Sequence, residues 1–137
     1  MSQRCRYKAP DNRAPARHYV RVVEPSGAVD WAAVESILLD MERVLRQASD
    51  PGADHIARLR DEVREADRNA VLGQLVSFNM WNHMGSFFDR SLSDRDLDRE
   101  FRRQQIVLAR VLEAAGVASR DVSEWAVILA NWEREGI

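Results

Sequence analysis

Residues 70–88, Ala-Val-Leu-Gly-Gln-Leu-Val-Ser-Phe-Asn-Met-Trp-Asn-His-Met-Gly-Ser-Phe-Phe, carry no charge in a chain where 31% of residues are charged. A tract this apolar must lie at the buried centre of the molecule. Its length approaches the roughly 20 residues that cross a bilayer. Its content opposes that use, because Gln74, Asn79, Asn82 and His83 are costly in lipid and no aromatic belt or basic loop flanks them. A core helix covered by other helices on every side is the better reading.

Phase extends that helix in both directions. At about 100° per residue, Ile56, Leu59, Val63, Ala66 and Ala70 share one stripe, and the same register continues through Gly73, Ser77, Trp81, Met84 and Phe88. No proline intervenes between Asp54 and Asp89. The pattern predicts one long helix, with Gly73 as a candidate bend. Leu72, Leu75, Val76, Asn79, His83 and Phe87 lie on its second buried face.

The flanking sequence supplies the partners. Asp30 is suited to cap a helix from Trp31 to about Ala48, because its carboxylate can accept the free amides of the first turn. Trp31, Val34, Leu38, Met41, Leu45 and Ala48 form that helix's seam, widened by Ile37 and Val44. Ser49-Asp50-Pro51-Gly52 ends it, and Asp50 with Pro51 opens the long helix. So short a loop favours antiparallel packing. After a turn at 89–92, Ser93-Asp94-Arg95-Asp96 resembles a capping box. The next helix carries Leu97, Phe101, Leu108, Val111, Leu112 and Ala115, with Gly116 as its stop. Ser119 caps a last helix, about Arg120 to Arg134, whose seam is Val122, Trp125, Leu129 and Trp132. The fold expected is therefore all-α: a four-helix antiparallel bundle over residues 30–137 with one long central helix.

Residues 1–29 read as an irregular basic arm. Its first 23 residues hold Arg4, Arg6, Lys8, Arg13, Arg17 and Arg21 against Asp11 alone. Pro10 and Pro15 break it, and it can bury little surface. The run His18–Val23 is its β-like part and has no evident strand partner, so it is expected to lie along the helices or to pair with another chain. Spaced arginines could track phosphates. However, the net charge of the whole chain is only -2, and charged arms are more often solvated than specific. Nucleic acid is thus disfavoured as a partner.

Cys5 is the single cysteine, which excludes an internal disulfide and a cysteine-based zinc site. The N-terminus lacks the apolar core of a secretory signal, so the cytoplasm is the default compartment. Lys8 is the one lysine among 20 basic residues. That bias suits GC-rich coding and points to a bacterial or phage source.

Catalytic signatures are absent: there is no His-Glu-x-x-His, no Glu-x-x-His pair, no phosphate loop and no nucleophile elbow. No cofactor or metal is expected. Two groups of residues remain as candidate sites. Asn79, Asn82, His83 and Ser86 fall within about a 100° sector of the long helix. They form either a hydrogen-bonded core network or a pocket for a small ligand or substrate, with Gln104 or Arg103 contributed by the next helix. The second group is Trp125, Ile128, Leu129 and Trp132, in a run that is apolar on every face of the last helix. A helix of that kind is either inserted among the others or offers an interface, and Trp is a favoured interface anchor. The sequence thus favours a small non-enzymatic module that binds another protein, or a second copy of itself, as a regulator, adaptor or inhibitor. A ligand-binding protein or enzyme built on Asn79 and His83 is the alternative, and weak nucleic-acid binding by the arm is a further one.

Overall fold

In the computed structural model, residues 6–7, 21–22, 29–65, 68–77, 79–81 and 84–137 are described. They form five helices: α1 (Trp31–Gln47), α2 (Gly52–Glu65), α3 (Arg68–Leu75), α4 (Arg95–Ala114) and α5 (Arg120–Glu135). Two short strands, β1 (Arg6–Tyr7) and β2 (Arg21–Val22), pair antiparallel with Arg6 opposite Val22 and Tyr7 opposite Arg21. The protein is therefore all-α apart from this two-residue ladder. The β-like run of the arm finds its partner inside the arm itself, against the expectation that it would need the helices or another chain.

α1 forms as its sequence dictates. Asp30 accepts the Ala33 amide at 3.0 Å, and Val34, Ile37, Leu38, Met41, Val44 and Leu45 are buried. The chain leaves α1 through Ser49 at a φ of 55°, and the Asp50 amide donates back to the Leu45 carbonyl. Asp50 then accepts the Gly52 amide at 2.7 Å and opens α2. At Gly52 a Cβ would sit 2.2 Å from an Arg90 guanidinium nitrogen, which pairs with Asp50, so a side chain here would displace that arginine.

α2 packs on α1 through Ala53, Ile56, Leu59 and Val63. Glu35 pairs with Arg64, Glu42 with Arg60 and Arg46 with Asp54, so the partners run in opposite order along the two helices. Arg60 Nη1 lies 2.8 Å from Glu42, an ion pair without hydrogen-bond alignment. α4 packs on the same α1, α5 packs on α4, and α3 follows α2.

The long central helix does not form. α2 ends at Glu65, where the Val63 carbonyl accepts Arg68 Nε at 3.2 Å, and α3 ends at Leu75. The reason lies in what satisfies the carbonyls at the end of α3. Ser77 Oγ donates to the Gln74 carbonyl at 2.8 Å, the Trp81 indole to Leu75 at 2.6 Å, and Ser119 Oγ to Val76 at 2.9 Å. Side chains thus supply what a further helical turn would have supplied.

Beyond Val76 the chain makes a compact loop. The Phe87 amide donates to the Asn79 carbonyl and that of Phe88 to Met80, at 2.8 and 2.9 Å. Gly85 turns at a φ of 86°, its amide donating to Asp89. The tract is central, but it is helical only as far as Leu75. Val71, Leu72, Leu75, Val76, Met80, Trp81 and Phe88 are buried, yet Met84, assigned by phase to the buried stripe, is 92% exposed. Trp81 meets Phe88 edge-on at 4.6 Å, and Phe88 meets Phe101 of α4 at 5.8 Å.

Candidate interaction cleft

The cleft is built by α4, α5 and the turn at 88–91. Asp94, rather than Ser93, caps α4 by accepting the Asp96 and Leu97 amides at 2.9 and 3.1 Å. Phe101, Gln105, Leu108, Ala109 and Leu112 form its buried side. Ser119 caps α5, accepting the Val122 amide while its hydroxyl holds Val76. Because α5 packs chiefly on α4, only Val122 and Leu129 of that helix are buried. Trp125, Ile128 and Trp132 are half-buried, and Val127 is 61% exposed.

Between these elements lies an open cleft of about 360 Å³. Trp125, Leu129 and Trp132 line one side, Asp98, Arg102 and Gln105 the α4 side, and Phe88 to Ser91 the opposite wall, with Ile137 also in the lining. The two indoles meet edge-on at 5.8 Å. Trp125 is oriented by its Nε1, which donates to Gln105 Oε1 at 3.0 Å, and Gln105 itself is 1% exposed. Arg102 lies 5.8 Å from the Trp132 ring centroid. It pairs with Asp98 at 3.4 Å and donates to the Ile137 carbonyl at 2.7 Å, while its Nε is buried with no partner. Asp98 is held in place by accepting the Leu92 amide at 2.9 Å.

On the opposite wall, Arg90 lies over the Phe87 ring at 4.2 Å, donates to the Phe87 carbonyl and pairs with Asp50. His55 of α2 also packs on Phe87, with ring centroids 4.9 Å apart. Burial holds the His55 imidazole below the usual histidine range, and the charges of Arg58 and Arg90 add to that against the opposing pull of Glu62.

The structure brings Trp125, Leu129 and Trp132 together around the cleft and leaves Ile128 outside its lining. The polar sector proposed on a long helix loses its helical basis, because the described residues 79–81 and 84–88 lie outside any helix. Within that loop Asn79 is exposed and Ser86 is buried, its Oγ without a partner. Asn82 and His83 lie outside the described residues. The cleft takes Arg102 and Gln105 from α4, not the Arg103 and Gln104 expected to converge on a site; Arg103 instead pairs with Glu133 at 2.7 Å. Of the basic arm, Arg6 and Arg21 sit in the paired strands, and Arg4, Lys8, Arg13 and Arg17 lie outside the described residues.

Sequence reasoning missed Asp98, Arg102 and Gln105. Their i, i+4, i+7 spacing is a polar stripe beside the Phe101–Leu108 seam, and that stripe was the available signal. Among the described residues there is no group of three or more histidine, cysteine or acidic side chains placed to hold a metal, and no helix is long and apolar enough to cross a membrane. The fold defines an all-α domain with an aromatic cleft on its peripheral helix. No protein-family model matches the chain, and neither does any curated protein or solved structure.

Proposed function

We propose that this chain is a small non-enzymatic protein-binding module, a regulator, adaptor or inhibitor, that contacts its partner through the α4–α5 cleft. We read the framework as a bundle of α1, α2, α4 and α5, with α3 as a short segment on α2, working in the cytoplasm of a bacterium or phage host. The observation that carries the functional reading is the Trp125–Trp132 pair. Two half-buried indoles, fixed edge to face, border an open cleft of about 360 Å³. Large, rigid aromatic side chains at a concave surface are characteristic anchors of protein interfaces, and arginine is enriched beside them. Here Arg102 stands beside Trp132. Among the described residues, the lining contains no histidine or cysteine. A second copy of the chain is one admissible partner.

The test is site-specific photo-crosslinking in a bacterial extract, with a photoreactive residue in place of Trp132 and, as a control, in place of Arg58, which is exposed on α2 and lines no part of the cleft. A discrete protein product, or a crosslinked dimer, is expected from position 132 alone. Equal products from both positions, or none from either, contradict the reading.

A further inference from the structure

The wall of the cleft at residues 88–91 is fastened to the first turn of α2. Arg90 belongs to that wall, and its guanidinium pairs with Asp50. Its Nε donates to the Phe87 carbonyl at 2.8 Å, and the group lies 4.2 Å from the centroid of the Phe87 ring. α2 supplies the seat for both residues. Gly52 leaves the space that the guanidinium fills, since a Cβ there would stand 2.2 Å from Nη1. His55 follows three residues later and so projects from the same face of the helix. Its ring meets that of Phe87 at 4.9 Å and 47°. One ring therefore carries a permanent cation and a titratable imidazole together. The residues that follow it, Phe88 to Ser91, line the cleft.

The charges around the imidazole decide what a proton does there. Burial is the largest influence against a positive His55, Arg58 and Arg90 add to it, and Glu62 opposes them. Glu62 also accepts from Gln74 Nε2 at 3.2 Å. Of the other acids at this end of α2, Asp50 is paired with Arg90 and Asp54 with Arg46. An imidazolium would thus bring a second cation to a ring that Arg90 already occupies. A ligand, the proton included, shifts a protein toward whichever arrangement binds it better. Acid therefore favours an arrangement in which His55 and Arg90 no longer share Phe87. Phe88 is held in the core by Trp81 and Phe101, at 4.6 and 5.8 Å, so the displacement falls on residues 89–91.

We propose that His55 is a proton-sensitive latch on the cleft. Neutral, it shares Phe87 with Arg90 and keeps the wall at residues 89–91 in place; protonated, it frees Arg90 from the ring and loosens that wall. The use of such a latch rests on the reading of the cleft as a protein contact, but the latch itself is tested without a partner.

The experiment is a set of ¹⁵N–¹H spectra of the full chain, recorded in steps from pH 7.5 to 5. The signals followed are the His55 ring protons, the Arg90 Nε–H, and the amides of Asp89, Arg90 and Ser91. Circular dichroism at each pH confirms that the chain stays folded. The wall amides are expected to shift with the same midpoint as His55, and the Arg90 Nε–H to be lost to solvent exchange over the same range. In His55→Phe, which keeps a ring on Phe87, these signals hold still. In Arg90→Gln the His55 midpoint moves to higher pH, the reciprocal of the same coupling. Arg58→Gln also raises that midpoint, but the wall amides still follow it, because Arg58 lines no part of the cleft. Wall signals that stay fixed while His55 titrates, or that move alike in His55→Phe, overturn the proposal. So does an unchanged His55 midpoint in a folded Arg90→Gln. Absence of the crosslink at position 132 leaves these titrations standing, so the two claims fail separately.

Discussion

α1 and the tract from Val71 to Phe88 both sit at the centre of the molecule, and both have apolar residues at helical spacing, yet only the first is a continuous helix. The difference lies in where their backbone polar groups find partners. α1 is closed at its start by Asp30, three residues from the amide it accepts, and at its end by amides of the following turn. The end of α3 is closed by Trp81, six residues on, and by Ser119, 43 residues on. A helix stops when its terminal carbonyls are better served by something else, and in the second region that something comes from tertiary structure. Hydrophobic period reports burial along α1, and in the second region as far as Trp81 and at Phe88 but not at Met84; it reports helix only where the caps are local.

Replacing the distant partners should therefore cost more than replacing the local one. Trp81→Ala has the largest expected effect, about 3–5 kcal/mol in denaturant unfolding, from the cavity it leaves. Trp81→Phe keeps most of the ring and loses the indole bond to Leu75. It should cost about 1–3 kcal/mol, the penalty of a buried carbonyl left unmet. Equal costs for the two variants would mean that the indole bond, and not the packing, holds the loop.

Ser119→Ala sharpens the comparison. It removes the cap of α5 and the donor to Val76 together, so about 2–3 kcal/mol is expected, against about 1 kcal/mol for Asp30→Ala, which loses a local cap alone. If Asp30→Ala proves the costlier change, the distinction between local and distant closure fails.

The smallest effect concerns pH. His55 packs on Phe87, and its folded-state pKa lies below the unfolded value near 6.5. The unfolded chain then binds the proton more readily, so stability falls as pH drops below about 6.5. His55→Phe keeps a ring against Phe87 and removes the titration. The parent's melting temperature should fall relative to the variant's on going from pH 7.5 to 5. A difference that does not change with pH would show that His55 is not coupled to this contact.

What could be read from the chain alone follows the same division. Asp30 and the α1 seam, the α4 seam, and Ser119 with the α5 seam are all set by residues within a few positions of one another, and they were visible. The stop at Leu75 was not, because Trp81 and Ser119 act on it only once the chain has folded. Arg6–Tyr7 as the strand partner of Arg21–Val22 was missed because two residues give no periodicity to detect. At the cleft, the indoles of α5 stood out by composition. Arg102 and Gln105 did not, since on a helix as charged as α4 they look like part of a solvated face until α5 packs against them.

The account's central claim is that the Trp81 region is closed and structural, whereas the Trp125–Trp132 region is open and binds. The four tryptophans allow both halves to be read in one ¹⁵N-indole spectrum recorded with and without a soluble paramagnetic co-solute. The account predicts that the Trp125 and Trp132 signals broaden together while Trp81, whose indole is buried and committed to the Leu75 carbonyl, stays sharp. Broadening of Trp81 with Trp125 and Trp132 unchanged would contradict it.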